Sequence, residues 1–311
     1  MADAIARPVK TIPSKGKLEL VDTLALYTGG CAASAAIAMA KIGINAAIVG
    51  KIGDDGFGNF IKIAFVEHSV QTDGLIVRKD GATSASLVIV TEDAERSFIH
   101  CQGENATLVE SDIDYCIIEK AKLVFIAGIM LMQRFDGDEC AKFLKKCKNL
   151  GKITALDTAW DSTGRWMKVL ATSLPYLDYF LPSYEEAVEL SGKTDPEEMA
   201  DVFLAMGPKV VVIKLGKDGC FIKSQDGEKY FIPTYGRIKP VDTTGAGDSF
   251  CAGFLIAVIK GKSLYECGRF GNAVGTHCVM ARGASTGIKC EAEILKFMIA
   301  YDEETARCEK A

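Results

Sequence analysis

The stretch "PVDTTGAGDSFCAGF", residues 240–254, places a small-residue turn directly before a predicted helix. Gly245, Ala246 and Gly247 allow the bare backbone to approach a ligand closely. If a helix begins at about Ala246, its unpaired N–H groups and the positive end of its dipole form an anion site. Asp248 in that first turn is unfavourable beside a phosphate unless it accepts a proton. The stretch therefore predicts a general base next to a phosphoryl group.

A purely structural interpretation of the same stretch stays open. Thr244 would cap the helix, Asp248 would complement the helix dipole, and the glycines would serve only packing. The motif is neither a P-loop, since no Gly-Lys-Ser/Thr follows it, nor a GxGxxG fingerprint.

Upstream of this stretch, short runs rich in Val and Ile predict a parallel α/β sheet. The first three runs each precede a helical segment, which is typical of strands covered on both faces by crossover helices. The runs are "KLVFIAG" (122–128), "KITALD" (152–157), "YFLPS" (179–183) and "KVVVIKLG" (209–216). A hairpin with Asp226 and Gly227 at its turn is predicted over 219–233.

The first hundred residues interrupt this pattern. Residues 17–28 are predicted as a strand, 31–43 as a small-residue helix, 46–53 as a strand and 56–70 as a helix. The runs 84–90 and 96–100 predict a hairpin around 91–95. We assign the early strands, about 4–28 and 83–101, to a small sheet that lies over the large domain.

The composition excludes several classes of protein. The 311 residues are 49% hydrophobic and 25% charged, as in one globular domain, and the net charge of −5 argues against a nucleic-acid partner. No apolar run is long enough for a membrane span, and the N-terminal segment lacks the apolar core of a signal peptide. The 11 cysteines contain no CxxC pair, which predicts free thiols and a cytoplasmic location. The three histidines lie at no metal-ligand spacing from them.

Two motifs together resemble a known family. "DTTGAGDSFCAGF" (242–254) is similar to the C-terminal signature of the PfkB-type carbohydrate kinases, the ribokinase-like family, and "GGCAASAAIAMAKIGINAAIVGKIGDDGFG" (29–58) to its N-terminal signature. The resemblance implies a single ribokinase-like α/β domain over 1–311, with a mostly parallel central sheet flanked by helices and a small β-sheet lid. It also implies ATP-dependent phosphorylation of a sugar hydroxyl, with Mg²⁺ and K⁺, and a homodimer formed through the lid.

The resemblance assigns the catalytic and metal-binding roles. Asp248 would be the general base, and Gly245, Ala246 and Gly247 the anion hole for the transferring phosphoryl group. Glu186, in "LPSYEEA", would act on Mg²⁺, with Ser183 where the family has asparagine. The remaining implied site binds a monovalent cation and consists of Asp242, Thr244 and Gly283.

The resemblance also assigns the substrate contacts. Lys214, Gly216 and Gly219, in "VVIKLGKDGC", and Asn272 would lie along ATP. Asp3, Gly29, Gly30 and Ser34 would contact the sugar, although the family usually has asparagine at Ser34 and often a polar residue at Cys31. Asp157 and Arg165, in "LDTAWDSTGRW", match a substrate or phosphate region only in part.

Two further expectations concern the acceptor and the N-terminal strand. A nucleoside kinase of the same fold is an alternative, as is a catalytically weak sugar- or nucleotide-binding protein, suggested by Cys31, Ser34 and Ser183. In the family, an apolar core strand precedes the acid equivalent to Asp3. Only Met1 and Ala2 precede it here, so we expect that strand to lie upstream of Met1, and Asp3 to be poorly held without it.

Overall fold

The computed structural model describes residues 1–92 and 95–308 and arranges them in three sheets with flanking helices. The strands are β1 Ala2–Val9, β2 Thr23–Thr28, β3 Ala47–Gly53, β4 Gln71–Arg78, β5 Ala85–Thr91, β6 Arg96–Cys101, β7 Leu123–Ile129, β8 Ile153–Thr158, β9 Tyr179–Phe180, β10 Val210–Lys214, β11 Cys220–Ser224 and β12 Lys229–Ile232. The helices are α1 Cys31–Ile42, α2 Gly56–Glu67, α3 Tyr115–Lys120, α4 Asp138–Asn149, α5 Met167–Leu170, α6 Tyr184–Ser191, α7 Pro196–Leu204, α8 Ala246–Ile259, α9 Leu264–Val279 and α10 Glu291–Cys308.

The central sheet has six strands in the order β12-β11-β10-β9-β8-β7. Strands β7 to β10 are parallel, and β11 and β12 continue the sheet as an antiparallel hairpin. The parallel sheet and the hairpin at Asp226 and Gly227 are therefore confirmed.

Both faces of this sheet are buried, which explains its continuous apolar runs. In β10, Val211 and Ile213 pack into the core that also contains α4, α6 and α7. Val210 and Val212 point to the opposite core, with α1, α8 and α9. Because side chains alternate along a strand, a strand covered on both faces needs an apolar residue at every position.

The small sheet has the order β2-β1-β5-β6. The predicted hairpin of β5 and β6 is confirmed, although its turn residues 93 and 94 lie outside the described residues. The predicted strand over 17–28 is too long, because β2 pairs with β1 only from Thr28 to Thr23. Pro8 follows Arg7, the last residue of β1 that pairs with β2, and has no N–H to continue this ladder.

Strands β3 and β4 form a separate parallel pair. The sequence analysis did not predict β4. The predicted helix over 56–70 ends three residues early, at Glu67, because Ser69 has a left-handed φ of 59°. Within the described parts of the chain, every helix is too short or too polar to span a bilayer.

Candidate active site

A cavity of about 890 Å³ opens at the carboxyl ends of β8, β9 and β10, where α8 begins. Ligand sites of parallel α/β sheets are found at this edge. The lining residues follow the three strands or surround the start of α8: 157–160, 183–186, 214–218, Thr243, 245–248, Cys31 and Phe231.

The N-terminus of α8 forms one wall of the cavity. Gly245 precedes the helix with a φ of +75°, and its carbonyl accepts the Ser249 N–H at 2.9 Å. The N–H groups of Gly247 and Asp248 come before this bond and have no helical acceptor. A Cβ on residue 245 would lie 2.6 Å from the carbonyl oxygen of Ala284, so only glycine fits there. The geometry is that of an anion site at a helix N-terminus.

Asp248 lies in the first turn of α8 and in the cavity wall. Burial raises the pKa of the Asp248 carboxyl, while the charge of Lys214 and hydrogen bonds from the side chains of Cys31 and Ser34 act in the opposite direction. Cys31 begins α1, and Ser34 is buried one turn further along that helix. An acid with a raised pKa is a more effective general base near neutral pH than an ordinary aspartate.

Asp157 and Lys214 form a buried ion pair at the ends of β8 and β10. Lys214 Nζ lies 2.6 Å from Asp157 Oδ1, and the two side chains are 11% and 2% exposed. The sequence analysis named both residues but did not predict their pairing. The available signal was that each closes an apolar run of the same parallel sheet, so both lie at one edge. Arg165 does not join them; it pairs with Asp136 at 3.1 Å and lies outside the cavity lining.

Ser183 and Glu186 form a capping box at the start of α6. Glu186 Oε2 accepts the Ser183 N–H at 3.0 Å and the Thr158 hydroxyl at 2.8 Å. Glu186 is buried and still lines the cavity. It therefore both caps its helix and presents a carboxylate to the space beside α8.

Asp242 joins two loops behind the start of α8. Its Oδ1 accepts the Thr244 N–H at 2.9 Å, and its Oδ2 accepts the Gly283 N–H at 3.0 Å. The structure thus brings together the three residues predicted to hold a monovalent cation.

The predicted sugar-contact residues meet where β1 approaches α1. A Cβ on Gly29 would lie 2.1 Å from Asp3 Oδ2, so the absence of a side chain there makes room for the carboxylate. Asp3 Oδ1 is buried without a hydrogen-bond partner, and burial raises the pKa of this acid. Gly30 precedes α1 with a φ of +90°. Asp3 is not loosely held, because β1 pairs it with both β2 and β5.

The predicted nucleotide residues divide into two groups. Lys214 and Gly216 line the cavity, whereas Gly219 and Asn272 do not. A Cβ on Gly219 would lie 2.0 Å from the Ile232 carbonyl oxygen, and the Asn272 amide donates to that same carbonyl at 3.0 Å. These two residues therefore shape the end of β12.

Two exposed aromatic side chains at the cavity were missed by the sequence analysis. Trp160 follows β8 and is 54% exposed, and Phe231 on β12 is 59% exposed. Exposed rings beside a cavity are candidates for stacking on a planar ligand group. The signal for Trp160 was its position just after a buried strand, in "LDTAWD".

Comparisons with known proteins agree with this geometry. The family described as "pfkB family carbohydrate kinase" matches residues 1–290. An uncharacterized sugar kinase of Archaeoglobus fulgidus is 31% identical over 251 residues, which are 80% of this chain and 97% of the relative. A probable fructokinase-5 of Arabidopsis thaliana is 28% identical over 287 residues, 87% of each chain.

Among solved structures, an Arabidopsis thaliana ribokinase complexed with ribose and ATP superposes with a TM-score of 0.84. It is 26% identical, and the match covers 96% of this chain and 95% of the ribokinase. The fold is therefore ribokinase-like. With the family match over residues 1–290, the chain belongs to the pfkB family of carbohydrate kinases, phosphotransferases whose acceptor is an alcohol group.

Proposed function

We propose that this protein transfers the γ-phosphoryl group of ATP to a hydroxyl of a sugar, with Asp248 as the general base. The observation that carries the proposal is the position of Asp248. Its half-buried side chain stands in the first turn of α8, beside backbone N–H groups that the glycine at 245 keeps uncovered. An anion site and a base are thus adjacent in one cavity wall.

In the proposed reaction, Asp3 positions the acceptor and Asp248 removes the proton of the attacking hydroxyl. The backbone at Gly245, Ala246 and Gly247 stabilises the charge on the transferring phosphoryl oxygens, with the Gly247 N–H as a donor, since the Ala246 N–H already donates to the Thr243 carbonyl at 3.3 Å. Phosphoryl transfer depends mainly on such positioning and charge stabilisation. Proton transfer to the base contributes about 10²–10⁴-fold.

The cavity suits ATP and Mg²⁺. Its volume is within the range of nucleotide-sized sites, and Glu186 supplies the hard oxygen donor that Mg²⁺ prefers. When bound, Mg²⁺ neutralises charge on the phosphate oxygens. Oε2 already accepts bonds from Ser183 and Thr158, so Glu186 would act on Mg²⁺ through its other oxygen, Oε1, or through a water.

An ADP-release assay over a panel of sugars and nucleosides tests the proposed function. We expect turnover with at least one sugar, and the preferred acceptor identifies the substrate class. Turnover with nucleosides alone would replace the sugar by a nucleoside in the same reaction. ADP and acceptor binding without any turnover would show a binding protein and contradict the proposal.

Potassium is expected to activate the enzyme through the site formed by Asp242, Thr244 and Gly283. A cation bound behind the start of α8 would add positive charge where the phosphoryl group develops negative charge. The measurement is the rate against KCl at constant ionic strength, balanced with tetramethylammonium chloride. The response should disappear in Asp242→Ala. A flat response in the wild-type protein would remove the cation site from the proposal.

We also propose a homodimer formed through the small sheet. The β-sheet registers place Leu24, Leu26, Leu87 and Ile99 on one face, and all four side chains are exposed. Contiguous apolar surface of this kind marks an interaction site. Analytical ultracentrifugation should give a dimer, and Leu24→Asp with Ile99→Asp should give a folded monomer whose melting temperature, unlike that of the wild type, does not depend on protein concentration. A monomeric wild-type protein would contradict this.

A further inference from the structure

Lys214 occupies a position that the anion hole alone does not explain. It ends β10, and its Nζ lies 2.6 Å from Asp157 Oδ1 at the end of β8. Strand β9 lies between β8 and β10, so the ion pair of Asp157 and Lys214 spans the carboxyl end of β9. Both residues line the cavity.

The ammonium group of Lys214 also lies next to the start of α8. Its Nζ is 3.6 Å from the point where a Cβ on Gly247 would stand. Because residue 247 has no side chain, nothing from this residue separates the ammonium from the N-terminal turn of the helix. The cation and the helix N–H groups therefore border the same space.

The cavity is rich in negative charge, which the ammonium group of Lys214 offsets. A bound triphosphate would add negative charge to a cavity that five carboxyl side chains already line, those of Asp157, Glu185, Glu186, Asp218 and Asp248. Of the two lysines in the lining, Lys217 is exposed and only Lys214 is shielded from solvent. Burial lowers the pKa of Lys214, but the nearby negative groups, Asp157 first and Glu186 with it, together outweigh burial and raise that pKa. Lys214 stays charged.

The position of Lys214 is fixed before any ligand binds. Asp157 Oδ1 accepts from the ammonium, and Asp157 Oδ2 accepts from the Cys251 thiol at 3.5 Å. Cys251 lies one turn after Asp248 on α8. The carboxylate is thus held from two elements, and the lysine needs little rearrangement. Preorganised charges of this kind stabilise transition states effectively in a water-excluded site.

We propose that Lys214 is a further catalytic residue, which donates a hydrogen bond to an oxygen of the transferring phosphoryl group, and that Asp157 is its positioning residue. The proposal rests on the proposed function. In the step, the acceptor oxygen forms a bond to phosphorus, the bond to the ADP oxygen breaks, and the acceptor proton passes to Asp248. Lys214 keeps its protons throughout and stabilises the charge on the phosphoryl oxygens.

The test compares Lys214→Met with Lys214→Arg and a matched control. Lys209→Met is the control, since Lys209 lies just before β10 and pairs with Asp178 at 2.9 Å, at the opposite end of the strand. Calorimetry measures the affinity for ADP alone and for ADP with aluminium fluoride, which mimics the transferring group. Steady-state kinetics give kcat and the acceptor KM.

We expect Lys214→Met to lower kcat by about 10²–10³-fold, as for loss of one preorganised donor. Affinity for ADP with aluminium fluoride should fall by a similar factor, and affinity for ADP alone should stay within about threefold. Lys214→Arg should recover part of the rate, and Lys209→Met should behave as wild type. Unchanged kcat in Lys214→Met, or an equal loss of both affinities, would overturn the proposal.

Two arrangements keep the test decisive. If Lys214→Met does not fold because Asp157 is left unpaired, Lys214→Met with Asp157→Asn removes both charges and carries the same comparison. The calorimetry uses no sugar or nucleoside, so its result does not depend on whether the protein phosphorylates an acceptor. A wild-type protein without turnover would contradict that function, while the two affinities would still decide whether Lys214 contacts a phosphoryl group.

Discussion

Replacing Asp248 with asparagine is expected to lower kcat by about 10²–10⁴-fold, the usual contribution of a positioned general base. Asparagine has nearly the same shape, so the fold and the affinity for ATP should persist. Only the ability to take the acceptor proton is lost. The measurement is kcat with the preferred acceptor, together with calorimetric titration of an ATP analogue and the melting temperature.

The pH profile gives a second test of the same residue. Burial raises the pKa of Asp248, so the base becomes protonated, and the rate falls, at a pH above the ordinary aspartate value of about 3.9. The residual rate of Asp248→Asn should lack this acid limb. Asp226→Asn, at the exposed turn of the β11–β12 hairpin, is the control and should leave rate and profile unchanged. A kcat of Asp248→Asn within a few-fold of wild type would contradict the assignment.

The features predicted from sequence were those encoded by neighbouring residues. β10 was predictable because both its faces are buried, so every residue from Val210 to Ile213 is apolar. The start of α8 was predictable because the turn and the acid are contiguous from Gly245 to Asp248. Strand β4 was missed because it pairs only with β3 and has no long apolar run of its own.

The features that sequence could not supply depend on contacts between distant residues. Asp157 and Lys214 are 57 positions apart, and only the pairing of β8, β9 and β10 brings them to 2.6 Å. Asn272 was predicted near the nucleotide, but its amide binds the backbone at the end of β12. A motif match gives the identity of a residue, whereas the side chain's direction follows from the packing of the helix that carries it.

Gly245→Ala is expected to lower kcat/KM by about 10²-fold and to destabilise the protein. A residue with a side chain costs roughly 1–2 kcal/mol in the left-handed conformation that Gly245 adopts at a φ of +75°. The new Cβ would also lie 2.6 Å from the carbonyl oxygen of Ala284 and 2.7 Å from its Cα. The first turn of α8 must then move, and a displacement of about 1 Å in a catalytic arrangement costs about 10²-fold.

The matched control lies at the other end of the same helix. Gly261 has a φ of +70°, and a Cβ built there meets nothing within 4 Å. Gly261→Ala therefore introduces the same backbone strain without a clash and away from the cavity. We expect it to lower the melting temperature and leave kcat/KM unchanged, whereas Gly245→Ala lowers both. If the two variants lost activity equally, strain transmitted through α8 would account for the loss, and the backbone at residue 245 would not be the anion hole.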